Sequence, residues 1–473
     1  MEVHTSLLGS AFEQVVRDAI ASVQPVADSG VGVAVLKDGK LCFAAGFGLR
    51  DREAGRTVDP YTRFAIGSAT KAFTSMVLSM YAQTRALSLS RPITTYLPDF
   101  TMQEARASGS MTLEDILSQR TGLPRHDALW YLGPYTRAQL YYRLRYLMQL
   151  PGAYRNAFLY NNIMYTMAGH LLECRTGTKW EDIVQTRILD PLAMTATTFT
   201  LADLVGDPNH AKGYKKLDGV PLKDFDNIGP AGEINSTALD MATWIQLFLA
   251  KGVAPDGTVL IDPTNLERMY TGLTDVGNGT TFYGLGWYVG RLQGHRLVFH
   301  DGTADGNTAY VSFMPDDGLG VVLLTNQHCT DDLIGIWPGK VAERLYDYLL
   351  NGHLTGTLRI PSLPVPRDGI ETVSLPAATT PADFSPNDYT GLYSDPGYGD
   401  MAVGLWGGGL RISYYDREMA LQPLSGDQFL MSLHAFATDF RVPVVFHRGS
   451  DGDVDSLAIR LERRVDAIVF RRR

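Results

Sequence analysis

Arg63-Phe64-Ala65-Ile66-Gly67-Ser68-Ala69-Thr70-Lys71 runs directly into Phe73, Met76, Val77, Met80 and Tyr81. Those apolar residues recur at i, i+3, i+4, i+7 and i+8, which is one face of a helix. Ser68 therefore falls at or near the first turn, and Lys71 projects from nearly the same side three residues on. An alkoxide nucleophile needs a hydroxyl, a basic nitrogen within hydrogen-bond reach and a field that favours negative charge. The unpaired N–H groups of a helix N-terminus supply that field. Taken alone the tetrapeptide is common, because roughly one S-x-x-K arises by chance in a chain this long. It reads equally as a capped helix followed by a solvated lysine.

Two further motifs decide between those readings. Tyr160-Asn161-Asn162 precedes a second helical pattern (Ile163, Met164, Met167, Ala168, Leu171, Leu172), and His300-Asp301-Gly302-Thr303 closes the strand-like run Arg296 to Phe299. S-x-x-K, then Y-x-N, then a cationic or imidazole residue followed by x-G resembles the serine β-lactamase and penicillin-binding-protein superfamily, in its class C-like branch. Leu117-Ser118-Gln119-Arg120-Thr121-Gly122-Leu123-Pro124-Arg125-His126-Asp127 is similar to that family's LLSHRTGLPRHD segment. Gly229 to Thr237 is similar to its PAGGINST loop, and Tyr283-Gly284-Leu285-Gly286-Trp287 to its YGLGW. The resemblance runs from about residue 30 to about residue 350. Two departures stand out. Gln119 replaces a frequent histidine, and His300-Asp301-Gly302 replaces the K-T-G of true β-lactamases. The second removes a fixed cation at neutral pH. Strand alternation should turn Asp301 away from His300.

The resemblance implies an acyl-enzyme on Ser68, with Lys71 or Tyr160 as the base and the two acting as one coupled pair. It implies that Asn162 orients Lys71 or holds a substrate amide. The backbone N–H groups of Ser68 and Thr303, after Gly302, would receive the oxyanion, and His300 would bind a substrate carboxylate or complete a proton relay. The expected activity is hydrolysis of peptide, amide or ester bonds, D-amino-acid substrates included. A peptide cyclase or acyltransferase of nonribosomal peptide biosynthesis shares every one of these residues. A non-catalytic binding protein that retains the pocket is the reading from another class, and intact Ser68, Lys71 and Tyr160 argue against it.

Composition agrees with a globular enzyme. The chain has 473 residues, too many for one core. Its net charge of -9 without a basic block argues against nucleic acid. No cofactor is implied. The three cysteines Cys42, Cys174 and Cys329 lie apart in apolar stretches and read as buried thiols rather than a disulfide or metal site. Met1-Glu2-Val3-His4 does not open a signal peptide, and no apolar run approaches membrane-spanning length. A small-molecule or peptide substrate, no membrane partner and a cytoplasmic location are expected.

The fold expected is α+β, an α/β sandwich. Strand-like runs around Lys37-Asp38-Gly39-Lys40 and between Leu297 and Thr325 form an antiparallel sheet flanked by helices. A helical lobe from residue 68 to about 250 carries Ser68 and Tyr160, with the site in the cleft beside the sheet. This catalytic domain spans 1–354. Residues 355–386 hold six prolines, from Pro361 to Pro386, and read as a linker. Residues 387–473 alternate in short runs that suggest an antiparallel β-barrel, similar to the lipocalin-like domain attached to some class C-like serine hydrolases. His447 and Arg448 are the residues expected to reach a pocket rim, and truncation near Pro381 is expected to change substrate range more than fold. Asp451-Gly452-Asp453-Val454-Asp455, with Glu462 beyond, superficially matches a calcium loop but reads as a hairpin turn, because position six is Ser456. Arg125-His126-Asp127 reads as a loop held by its own hydrogen bonds.

Overall fold

The computed structural model describes residues 5–24, 26–328, 336–356, 370, 372 and 385–473. Most of the expected linker, residues 355–386, lies outside the described residues, as does Cys329. The chain divides into two interleaved compact units. One comprises Met1–Pro92, Thr112–Gln119 and Ala168–Val365, and the other Ile93–Met111, Arg120–Met167 and Pro366–Arg473.

The first unit is built on a nine-stranded antiparallel sheet. Its order is Thr5–Ser6, Lys40–Phe47, Val31–Lys37, Leu319–Thr325, Asn307–Met314, His295–Ala304, Tyr288–Leu292, Phe282–Tyr283 and Thr274–Asp275. The hairpin at Asp38-Gly39 turns with φ of 52° and 70°, the mirror-image turn whose twist suits the flanking strands. The two central strands, Asn307–Met314 and Leu319–Thr325, are buried along their whole length, so both faces must be covered. On one face the helix Ile336–Asn351 sets Tyr346 against Ser312 at 3.0 Å and packs with the helix Gly9–Val23. On the other, Phe248 of the helix Ala238–Leu249 meets Phe313, with ring centroids 5.1 Å apart. Thr237 caps that helix by accepting the Asp240 N–H at 3.1 Å.

The second unit contains a closed antiparallel barrel of eight strands, from Gly391–Asp395 to Ile468–Arg472, each paired with the next and the last with the first. The strand Gly399–Trp406 alternates, burying Met401 and Val403 and exposing Ala402 and Gly404. Tyr389 packs edge-on to Phe429 and Phe446 at 5.1 and 4.8 Å. Asp451-Gly452-Asp453 form a turn, closed by the Gly449 N–H donating to the Asp453 carbonyl at 2.8 Å, and Val454 and Asp455 open the strand Val454–Ile459. The helices Asp127–Leu132 and Arg137–Arg143 belong to this unit too.

Thus the fold is α+β, a large antiparallel sheet flanked by helices together with an eight-stranded barrel. Among the described residues no helix is long and apolar enough to cross a membrane. One expectation about the cysteines is corrected: Cys42 is buried, but Cys174 is exposed, because it sits on the outer side of the helix Asn162–Thr176.

Candidate active site

Ser68 lies in a short 3₁₀ turn, Gly67–Thr70, that opens into the α-helix Lys71–Gln83. Lys71 is fully buried, and its Nζ stands 3.0 Å from Ser68 Oγ. The same nitrogen donates to the Ala231 carbonyl at 2.8 Å. Ala231 belongs to the one-turn helix Gly229–Gly232, and the segment 229–234 is fixed along the Ser68 helix by Thr74 Oγ1 donating to the Pro230 carbonyl at 2.6 Å and Thr70 Oγ1 accepting the Ile234 N–H at 3.2 Å. Ser68 itself is half-buried, so its hydroxyl can meet a substrate while its neighbours cannot.

The strand His295–Ala304 supplies the facing wall. Its partner Tyr288–Leu292 pairs only as far as Phe299, so residues 300–304 run past that strand and along the Gly67–Thr70 turn. Two glycines permit the approach. A Cβ on Gly67 would stand 2.7 Å from the Thr303 nitrogen, and one on Gly302 would collide with the Ile66 carbonyl oxygen. Gly67 also sits at φ 50°. The backbones of Ser68 and Thr303 are thereby brought together within one unit, as an oxyanion hole requires.

His300 and Asp301 fall on opposite faces of the sheet: His300 pairs with Val311 and Asp301 with Tyr310. His300 is buried. Its pKa is lowered to about 3, first by desolvation and then by the nearby Lys71 charge, so the ring is neutral at pH 7. Its Nδ1–H donates to the Asp301 carbonyl. The Nε2 therefore accepts from the Tyr283 hydroxyl at 2.9 Å. An imidazole in this state offers no positive charge to a substrate carboxylate. The Tyr283 hydroxyl and the Ala231 carbonyl were not foreseen, although both sit inside motifs visible in the sequence.

Tyr160 and Asn162 belong to the second unit, at the start of the helix Asn162–Thr176. Both are largely buried, and Asn162 Nδ2 donates to Asp127 Oδ1 at 3.2 Å. The same carboxylate accepts the Trp130 indole N–H at 2.6 Å and the Arg125 Nε–H. The Arg125 guanidinium lies 5.1 Å from the Tyr160 ring centroid. The expectation that Arg125-His126-Asp127 is held by its own bonds holds for Arg125 and Asp127 but not for His126, whose partners are distant in sequence. Arg448 and His447 are exposed on the barrel. Arg448 donates to Asp427 at 3.0 Å and to the Gly452 carbonyl at 3.0 Å.

The first unit thus places a serine beside a buried lysine at the head of a helix, faced by a glycine-bearing strand. The chain belongs to the beta-lactamase family, whose model matches residues 19–336. Residues 375–472 match a domain of unknown function, DUF3471. Among curated proteins, the Unguisins hydrolase ungD' of Aspergillus campestris is 28% identical, covering 92% of this chain and 86% of that protein. Its counterpart ungD in Aspergillus violaceofuscus is 28% identical over 88% and 82%. Among solved structures, the octameric penicillin-binding protein homologue from Pyrococcus abyssi aligns with a TM-score of 0.61 and 20% identity, covering 98% and 99% of the two chains. SurE, solved with D-Leu, aligns at 0.56 and 21% identity over 98% of each chain.

Proposed function

We propose that this protein is a serine hydrolase that cleaves peptide, amide or ester bonds, D-amino-acid substrates included, through an acyl-enzyme on Ser68. The observation that carries the reading is the 3.0 Å contact between Lys71 Nζ and Ser68 Oγ beside the Thr303 backbone. Lys71 in its neutral form accepts the Ser68 proton as Oγ attacks the carbonyl carbon, and the oxyanion meets the Ser68 and Thr303 N–H groups. The proton then passes to the leaving nitrogen or oxygen, and water resolves the ester. Tyr160 is the alternative base and Asn162 the amide that orients substrate or lysine. Neutral His300 acts in a relay with Tyr283 rather than as a carboxylate-binding cation.

Hydrolysis is favoured over cyclisation by an internal amine because both Aspergillus relatives, similar over most of their length, carry the name hydrolase. A small-molecule or peptide substrate and a cytoplasmic location belong to the same proposal. The test is a panel of p-nitrophenyl esters and L- and D-aminoacyl p-nitroanilides, with and without added amine nucleophile. Free acid as the main product supports the hydrolase; amide product growing with amine concentration would favour the transferase.

A further inference from the structure

His126 is a buried non-glycine residue in the left-handed region, at φ 47° and ψ 34°. Such a backbone persists only where its surroundings over-determine it. Its partners here come largely from the barrel. The His126 N–H donates to Glu462 Oε2 at 3.0 Å. Burial lowers the ring's pKa to about 4, so it is neutral at pH 7. Nε2 lies 2.9 Å from the Met148 carbonyl and must donate to it, which leaves Nδ1 to accept from the Tyr398 hydroxyl at 2.8 Å. Glu462 is itself fully buried and also accepts the Arg464 N–H at 3.1 Å. A barrel hairpin adds Phe436, whose ring lies 3.9 Å from that of Tyr131 and 5.6 Å from that of Trp130.

The residue after this turn is Asp127, which holds Asn162, Trp130 and Arg125. A left-handed residue sets the direction in which its successor leaves. Whatever fixes His126 therefore fixes the carboxylate that holds the Asn162 amide and the guanidinium over Tyr160. A buried carboxylate is a costly way to stabilise a barrel on a helix, since apolar packing would serve as well. It is the natural way to hold one backbone N–H at one angle.

We propose that Glu462 and Tyr398 are positioning residues, and that the C-terminal barrel acts on catalysis by holding His126, and through Asp127 the Tyr160–Asn162 edge, in its working geometry. The claim about catalysis rests on the hydrolase reading above; the claim about the brace does not. All of these residues lie in the second unit.

The experiment uses the full chain with Glu462→Ala, Glu462→Gln and Tyr398→Phe. Two readouts are taken: amide hydrogen exchange over residues 121–132, and kcat and KM on the best ester of the panel. The proposal expects Glu462→Ala to speed exchange in that segment and to lower kcat about tenfold or more with KM within about twofold. Glu462→Gln, which keeps an acceptor oxygen, should recover most of the rate. Glu462→Ala should cost no further rate in an Asp127→Asn background, since both act through one carboxylate. Should Glu462→Ala fail to fold, Tyr398→Phe carries the same two readouts with a loss of about threefold to tenfold. Unchanged exchange overturns the brace, whatever the substrate proves to be. Faster exchange with kcat unchanged, or rate losses that multiply independently with Asp127→Asn, overturns the positioning role. The hydrolase reading fails separately, if turnover survives Ser68→Ala.

Discussion

Lys71 Nζ lies between Ser68 Oγ at 3.0 Å and the Ala231 carbonyl at 2.8 Å, fully buried at the first residue of its helix. The Ala231 carbonyl aligns the amine with the serine through a backbone atom. Replacing Lys71 by Ala should therefore slow acylation by about 10³-fold or more, while the fold survives. Stopped-flow labelling with a fluorogenic ester measures this; a rate within tenfold of wild type would contradict it.

Gly302 allows the strand His295–Ala304 to pass along the Gly67–Thr70 turn, where any Cβ would meet the Ile66 carbonyl oxygen. Gly302→Ala should push the Thr303 N–H away from Ser68. The expected loss in kcat is about 10²-fold or more, the usual effect of losing one oxyanion donor. Steady-state kinetics with circular dichroism as a fold check measures it. Unaltered kcat in a folded variant would remove Thr303 from the mechanism.

His126, His300 and His328 are buried, with pKa values lowered to about 4, 3 and 4, mainly by desolvation. Unfolded histidines titrate near 6.5, so between that pH and the folded values the unfolded chain binds more protons. Stability is therefore whole above pH 6.5 and declines as pH falls through this window. At pH 5 the loss is about 2 kcal/mol for each fully buried ring. Urea unfolding at pH 7, 6 and 5 should show a falling midpoint, and a flat profile would contradict the buried neutral rings.

Penicillins should be turned over slowly if at all. With His300 neutral and committed to Asp301 and Tyr283, the third motif presents no cation to the β-lactam carboxylate. Nitrocefin hydrolysis is the measurement, and rapid colour change at micromolar enzyme would overturn it.

Truncation near Pro381, expected from the sequence to change substrate range more than fold, is predicted from the structure to cost the fold as well. Within the second unit, barrel residues satisfy His126, cover Trp130 and Tyr131 with Phe436, and bond Tyr135 to Tyr415. Stripping them would expose three aromatic rings and leave a buried N–H unpaired, at a cost of several kcal/mol. The truncated chain should unfold or aggregate well below the wild-type Tm in a thermal melt. An unshifted Tm would contradict this.

Local pattern made the Ser68 helix, the Asp38-Gly39 hairpin and most barrel strands legible, because apolar periodicity and turn residues act over a few positions. The strand Arg417–Ser425 is harder to read from sequence: buried Met419 and Leu421 alternate with exposed Glu418, Ala420 and Gln422, but Pro423 breaks the pattern and the register shifts after it. The role of Ala231 was hidden because the functional atom is a carbonyl that every residue has. Glu462 was visible only as a doubtful calcium ligand; its partner, the His126 N–H, lies 336 positions away, where no local pattern reaches. Nor does chain order group residues 120–167 with the barrel in one compact unit.

The most direct test of the central claim is intact-mass analysis after incubation with a fluorophosphonate. Wild-type protein should gain the mass of one phosphonyl group, mapped by peptide sequencing to Ser68, and Ser68→Ala should gain none. An adduct on Ser68→Ala at the wild-type rate, or modification of wild type at another serine, would contradict the account.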